Sequence, residues 1–339
     1  MINRWIIGEL KHKLAYRRGV HLTGARQVGK STLAEMVELA HVRRYTFDVK
    51  KTREAATSDP YGFVKHEKGE TLVIDEVQKV PELLDAIKTI LDRDSAKGQY
   101  LLTGSSNLHF AKAVKDSLAG RLGHVRLRPL TLGEINGHAP TFLDAAFSRS
   151  LKSSYPDLDK RDIIRIGFRG GYPETLDLSE AERRTWFREY LDDILEKDVQ
   201  DITEIRKSDI LRSASLWLFA HSAQFVTVDE LAAKVGLSKA TTENYLTTLR
   251  ALFLFDRLPA WTNSDYGLLG KRPKWIANDT GMMAEVKAGN VSHSDFAHLK
   301  WFAENLAHTP FTGIVLYSGT ETLRFGEGFY AVPLSALGE

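Results

Sequence analysis

In the stretch GVHLTGARQVGKST, Gly19 to Thr32, two glycines, a lysine and a hydroxyl residue stand in the order Gly24, Gly29, Lys30, Ser31. This is the spacing G-x-x-x-x-G-K-[ST]. Its chemistry is the holding of phosphate. Successive amide N–H groups and a helix N-terminus must converge on phosphate oxygens, and only glycine lets the backbone approach so closely. Gly24, Ala25, Arg26, Gln27, Val28, Gly29, Lys30, Ser31 and Thr32 are therefore the expected cradle, with Lys30 reaching the β and γ phosphates and the Ser31 hydroxyl on magnesium. Such a metal also needs a carboxylate, and TLVIDEVQKVPELL supplies Asp75 and Glu76 after an apolar run, Thr71 to Ile74. Asp75 is expected in the magnesium shell, and Glu76 as the base that holds and deprotonates an attacking water. The Asp-Glu pair points to hydrolysis.

The elements that must position these groups are legible around them. Gly19 to Thr23 has a short apolar strand pattern, and STLAEMVELA after the loop repeats its apolar residues at helical spacing. The run before Asp75 reads as a buried parallel strand, and ligands bind at the C-terminal ends of such strands. A third strand, QYLLTGSSN, ends in Thr103, Gly104, Ser105 and Ser106. Of these, Ser105 is the expected sensor of the γ phosphate or of the water, against the plainer reading of strand-terminal serines as turn formers. Further on, Arg121 follows a glycine in DSLAGRLGHVRLRPL and precedes the strand pattern Val125 to Leu127. It is the candidate neutraliser of charge on the transferring phosphoryl group, in its own chain or a neighbour's, with Arg126 and Arg128 as rivals and a plain surface role as the equal alternative. No N-K-x-D guanine-reading signature occurs, so ATP is expected rather than GTP.

Composition narrows the class. The 339 residues suffice for two or three domains; 43% are hydrophobic and 27% charged, with 46 basic against 44 acidic, so any nucleic-acid surface must be local. The chain has no cysteine, which excludes disulfides and thiolate chemistry and suits a reducing cytosol. No apolar run approaches the ~18 residues of a membrane span, and the first residues are too weakly apolar for a signal peptide, so a cytoplasmic protein without membrane association is expected.

The motifs GARQVGKS, VIDEVQKVPELL, LLTGSSN and LAGR, followed by GGYPE (Gly170 to Glu174), WFREYLDDILEKDVQDI (Trp186 to Ile202) and KRPKWIANDTG (Lys271 to Gly281), resemble in content and order the prokaryotic AAA-type P-loop ATPases that carry a C-terminal "domain of unknown function 4143". The resemblance covers nearly the whole chain. It implies an α/β fold: an ATPase core with a central parallel sheet and an additional strand of the Asp-Glu type, then a mostly helical winged-helix segment, then a restriction-nuclease-like α/β segment. The corresponding division is a P-loop ATPase domain over 1–150, a helical linker or lid over 151–207, a winged helix over 208–280 and a nuclease-like remnant over 281–339.

The residues support the winged helix independently. One amphipathic helix (Asp229 to Val235), a Gly236-Leu237-Ser238 turn and a second helix (Lys239 to Leu252) share Leu231, Val235, Leu246 and Leu249 as a core, and Phe253 to Leu258 begins a wing. Between Phe225 and Asp256, four acids stand against three bases, short of the basic footprint of a groove-reading helix. Double-stranded DNA and a protein partner thus remain alternative ligands. Lys271, Arg272 and Lys274 are the nearest basic cluster, and a positive stripe joining them to Lys239 would favour DNA.

The last segment departs from the family pattern. NDTGMMA abuts EVKAGNVSHSDF, whereas the family places several tens of residues, including an acid, between Asp-x-Gly and the strand with Glu-x-Lys. A magnesium nuclease site needs two or three converging carboxylates, which Glu285 and Lys287 alone do not supply, so nuclease activity is expected to be lost. His293, His298 and His308 lack the spacing of a metal site. Two functions follow: an ATPase dependent on ATP and magnesium that drives a conformational change on nucleic acid or a partner, or a slow nucleotide-gated switch that docks a protein through its winged helix. Oligomers are compatible with either.

Overall fold

The computed structural model describes residues 2–104, 118–198, 208–259, 272–282 and 312–338. Two compact units are interleaved along the chain: one comprises Ile6–Pro129 and Tyr172–Asp279, the other Met1–Trp5, Leu130–Gly171 and Thr280–Glu339.

In the first unit, helices α1 (Ile7–Tyr16), α2 (Lys30–Met36), α3 (Lys50–Ser58), α4 (Pro60–Val64) and α5 (Leu83–Arg93) alternate with strands β1 (Gly19–Gly24), β2 (Val42–Thr46), β3 (Thr71–Asp75), β4 (Tyr100–Gly104) and β5 (Leu122–Leu127). The strands form one parallel sheet in the order β2-β3-β4-β1-β5. This is the expected α/β architecture, with β4 as the additional strand between β1 and β3. Parallel strands joined through helices are covered on both faces, which accounts for the continuous apolar runs. Leu72, Ile74, Leu102, Leu83, Ile87 and Leu91 are fully buried in its main core. In register, Gly19 and Gly24 of β1 lie opposite Leu122 and Leu127 of β5, and Gly19 lies opposite Tyr100 of β4, so the C-terminal strand ends share one edge.

The first unit closes with a helical segment. In the second, helices α6 (Leu132–Ile135), α7 (Phe142–Phe147) and α8 (Lys160–Arg169) come first along the chain. The first unit resumes with α9 (Glu180–Asp193), α10 (Ser208–Ala220), α11 (Val228–Val235) and α12 (Lys239–Ala251), then an antiparallel hairpin of β6 (Phe255–Leu258) and β7 (Lys274–Ala277). Thr227 and Glu230 cap α11 reciprocally, Gly236 ends it in the left-handed conformation and Ser238 caps α12, so the turn residues read from sequence act as helix stops and starts. Leu231, Leu246 and Leu249 are buried together with Phe255, while Val235 is half-buried.

The second unit carries a small sheet, β8 (Gly313–Tyr317), β10 (Phe329–Pro333) and β9 (Leu323–Gly326), with β10 central, parallel to β8 and antiparallel to β9. The residues of this segment predict a strand over Gly313 to Ser318 and a hairpin over Thr322 to Val332, and both are present. The helix they predict over Ser294 to Asn305, together with Glu285, Lys287 and the three histidines, lies outside the described residues. A buried acid organises this unit's beginning. Glu134 Oε1 accepts from Arg4 Nε at 3.2 Å and from the Trp5 amide at 2.8 Å, while Oε2 accepts from the Thr131 amide at 2.9 Å. Both partners of the ion pair are almost fully buried. Because removing one partner strands the other charge without water, Glu134→Ala should cost about 3 kcal/mol or more in urea unfolding. A loss under about 1 kcal/mol would show that solvent reaches Arg4 readily.

Candidate nucleotide site

The loop between β1 and α2 is shaped by close approach. A Cβ at Gly24 would lie 2.4 Å from the Leu127 carbonyl oxygen of β5, so no larger residue fits there. Gln27 and Gly29 take left-handed φ values of 60° and 92°, turning the chain back toward the sheet before α2 begins at Lys30. Ala25 and Val28 are buried and hold the loop down, whereas Arg26, Gln27, Ser31 and Thr32 are exposed. The Lys30 ammonium is buried and donates to the carbonyls of Gly24 at 3.2 Å and Ala25 at 2.8 Å. A cation folded onto its own loop's carbonyls is poised for an anion entering that loop.

The two acids sit at the C-terminal end of β3. Asp75 Oδ2 accepts from Ser31 Oγ at 2.8 Å, and its Oδ1 accepts from Thr103 Oγ1 of β4. One carboxylate thus joins the loop of β1 to β3 across the intervening β4. Two hydroxyls and a carboxylate are hard oxygen donors of the kind magnesium takes alongside phosphate oxygens. No cluster of three or more His, Cys, Asp or Glu that could hold a metal without phosphate occurs among the described residues. Glu76 follows in the left-handed region, φ 57° and ψ 41°, which ends the strand and starts a one-turn 3-10 helix, Val77–Lys79. Its Oε2 accepts from Gln78 Nε2. Ser105 lies outside the described residues.

The arginines divide. Arg121 precedes β5 at the end opposite the loop, about 17 Å away at the rise of a strand, and binds Asp92 of α5 with two nitrogens. That places it away from the loop of its own chain. Arg126 and Arg128 lie at the loop end of β5 and both bind Asp256 of β6, at 2.6 and 2.5 Å, with Arg128 also donating to Asn278 Oδ1 at 3.0 Å. Arg126 lies over the Phe253 ring, 4.7 Å from its centre. Partial burial pushes the Asp256 carboxyl up, and the two guanidiniums more than offset it, so it lies below the usual carboxylate range.

Residues 16–136 match the family model described as an AAA domain. Residues 160–292 match a second model, described as domain of unknown function DUF8612, where the resemblance implies domain 4143. Among curated relatives, an uncharacterized protein of Mycobacterium tuberculosis is 27% identical over 279 residues, 79% of this chain and 57% of that protein. One of Haemophilus influenzae is 24% identical over 218 residues, 62% of this chain and 50% of that protein. The chain therefore spans little more than half the length of these relatives. Among solved structures, the RuvB Holliday junction branch migration motor of Thermotoga maritima aligns at 18% identity over 88% of this chain and 95% of its own, with a TM-score of 0.32. AMPPCP-bound DnaA of Aquifex aeolicus aligns at 12% over 72% and 86%, with 0.33. At those scores the likeness does not bear on function.

Several residues that contact the loop and its acid carry no sequence signature. Thr103 is legible in the sequence only as one of the small residues closing the third strand pattern. Tyr190 of α9, more than 150 residues downstream, donates to the Arg26 carbonyl at 3.1 Å and accepts from Tyr172 at 3.0 Å. Burial and the neighbouring Tyr190 hold the Tyr172 phenol well above its ordinary pKa. His21, buried three residues before the loop, is pushed down to about 3 by desolvation and by His124, so it is neutral and structural. Asp256 was counted only as one of the acids of its segment. Because its folded pKa is depressed, its contribution is complete above the ordinary 3.8 and is lost as pH falls through the lower folded value. Asp256→Asn should therefore cost about 1–2 kcal/mol at pH 7, a half-exposed pair being weakened by solvent. Denaturant titrations should show that difference constant down to about pH 5 and shrinking only below the ordinary carboxylate range.

Proposed function

We propose that this protein hydrolyses ATP with magnesium at the edge of the parallel sheet. The observation that carries the reading is the meeting of Ser31 and Asp75 across β4: the phosphate-loop hydroxyl and the strand-end acid, 44 positions apart, share a hydrogen bond of 2.8 Å. The loop backbone would cradle the phosphates, and Lys30 would exchange its carbonyl partners for β and γ phosphate oxygens. Ser31 and Asp75 are the residues fit to hold magnesium, which would supply positive charge to the phosphates when bound. Glu76 holds the water and takes its proton as the water oxygen bonds to the γ phosphorus and the bond to the β–γ bridging oxygen breaks, giving ADP and phosphate.

The output would pass through α10 to α12 and the β6–β7 hairpin, read as a winged helix. The ion pairs on that segment support a protein partner over DNA. Lys239 pairs with Asp229 at 3.2 Å, Arg272 approaches Glu230 at 3.8 Å, and the Lys274 ammonium sits 4.9 Å from the centre of the Phe225 ring. Each of these described cations is matched by an acid or ring of its own segment, while Lys271 lies outside the described residues. Among the described residues, Lys239, Arg272 and Lys274 are thus each partnered, which weakens a stripe built on them to track a phosphate backbone. We assign no nuclease chemistry to the C-terminal segment.

Lys30→Ala should abolish ATP binding in calorimetry, whereas Glu76→Gln should keep binding and lower turnover at least ~100-fold. Near-normal affinity in the first would remove the loop assignment, and normal turnover in the second would place the base elsewhere. Double-stranded DNA titrated into the ATPase assay at moderate salt should leave turnover unchanged; stimulation would overturn the preference for a protein partner.

A further inference from the structure

The turn after β3 contains a contact that the loop and metal residues leave unexplained. Glu76 adopts a left-handed backbone, a conformation unfavourable for a residue with a side chain. The following 3-10 turn brings Gln78 around so that its amide nitrogen donates to Glu76 Oε2. Gln78 is itself seated against the end of β4: a Cβ on Gly104 would lie 2.6 Å from Gln78 Oε1. The glycine thus leaves the room that the glutamine amide occupies. Val77 between them is fully buried, and Lys79 beyond binds Asp48, so the turn is fastened on both sides of Gln78. A glutamate carboxylate is reached through three rotatable bonds and has several rotamers, and a base that must meet one water gains from losing them.

We propose that Gln78 is a positioning residue for Glu76, holding one carboxylate oxygen so that the other is left to accept the proton of the attacking water, and that Gly104 is small to admit it. This rests on the hydrolytic reading above. The glutamine touches neither phosphate nor metal, so it should act on turnover and not on nucleotide affinity. Its amide also separates this role from that of a general base, because it has no proton-accepting form near neutrality.

The test uses the full chain, with steady-state ATPase kinetics and calorimetric ATP affinity for the wild type, Gln78→Ala, Gly104→Ala and the double variant. Gln78→Ala should lower kcat about tenfold with KM and affinity within about twofold, as expected for the loss of an outer hydrogen bond that orients a reacting group. Gly104→Ala displaces only the far end of a flexible side chain. It should lower kcat several-fold in the wild type and add nothing once Gln78 is alanine, a non-additivity that a purely structural effect on β4 would not show. Preserved ATP affinity establishes that each variant is folded. Unchanged kcat in Gln78→Ala overturns the proposal, as does a raised kcat, which would mean that the glutamine restrains the acid. A Gly104→Ala effect that persists undiminished in the double variant also overturns it. A wild-type chain that binds ATP but shows no magnesium-dependent turnover would instead overturn the hydrolytic reading itself.

Discussion

One carboxylate, Asp75, ties the candidate site together, accepting from the hydroxyl that opens α2 and from the hydroxyl near the end of β4. That bridging depends on a geometric constraint. Parallel strands in register present their C-terminal ends on one edge, so the loop leaving β1, the acid ending β3 and the threonine of β4 come within reach of one another. An antiparallel neighbour would have put one of the three on the far edge. Arg121 shows the same rule from the other side: it stands at the beginning of a strand, and the register carries it away from the loop however well its sequence context suits a role in catalysis.

The phosphate loop itself is held by more than its own sequence. Gly24 is pressed against the Leu127 carbonyl, and Tyr190 reaches in from α9 to bond the Arg26 carbonyl. The loop therefore touches β5 on one side and the helical segment on the other. Asp256 adds a second tie, between β5 and the β6–β7 hairpin, by pairing with two arginines of which its single charge offsets one. Strand β5 and the hairpin thus share one ion-pair junction.

Charge on the helix-turn-helix illustrates why counting is a weak guide to a surface. The sequence count already fell one charge short of neutral, yet a local basic stripe remained compatible with it. The structure pairs Lys239 with Asp229 and brings Arg272 to Glu230, contacts made between elements. Opposite charges at that separation cancel most of the potential that a nucleic-acid backbone would feel.

What could be read without coordinates was whatever depends on neighbours along the chain. The phosphate loop needs glycines at set intervals, a buried parallel strand needs an unbroken apolar run, and a helix needs caps. Accordingly, the loop, β1, β3, β4 and helices α11 and α12 were legible, the last two to within a residue or so at each end. What the tertiary structure alone decided were pairings between distant residues: Thr103 with Asp75, Tyr190 with the loop, Asp256 with Arg126 and Arg128, and the distance between Arg121 and the phosphate site. No local pattern encodes these, because strand order and register set them, and both arise from the burial of whole faces of the sheet and not from any one segment's preference.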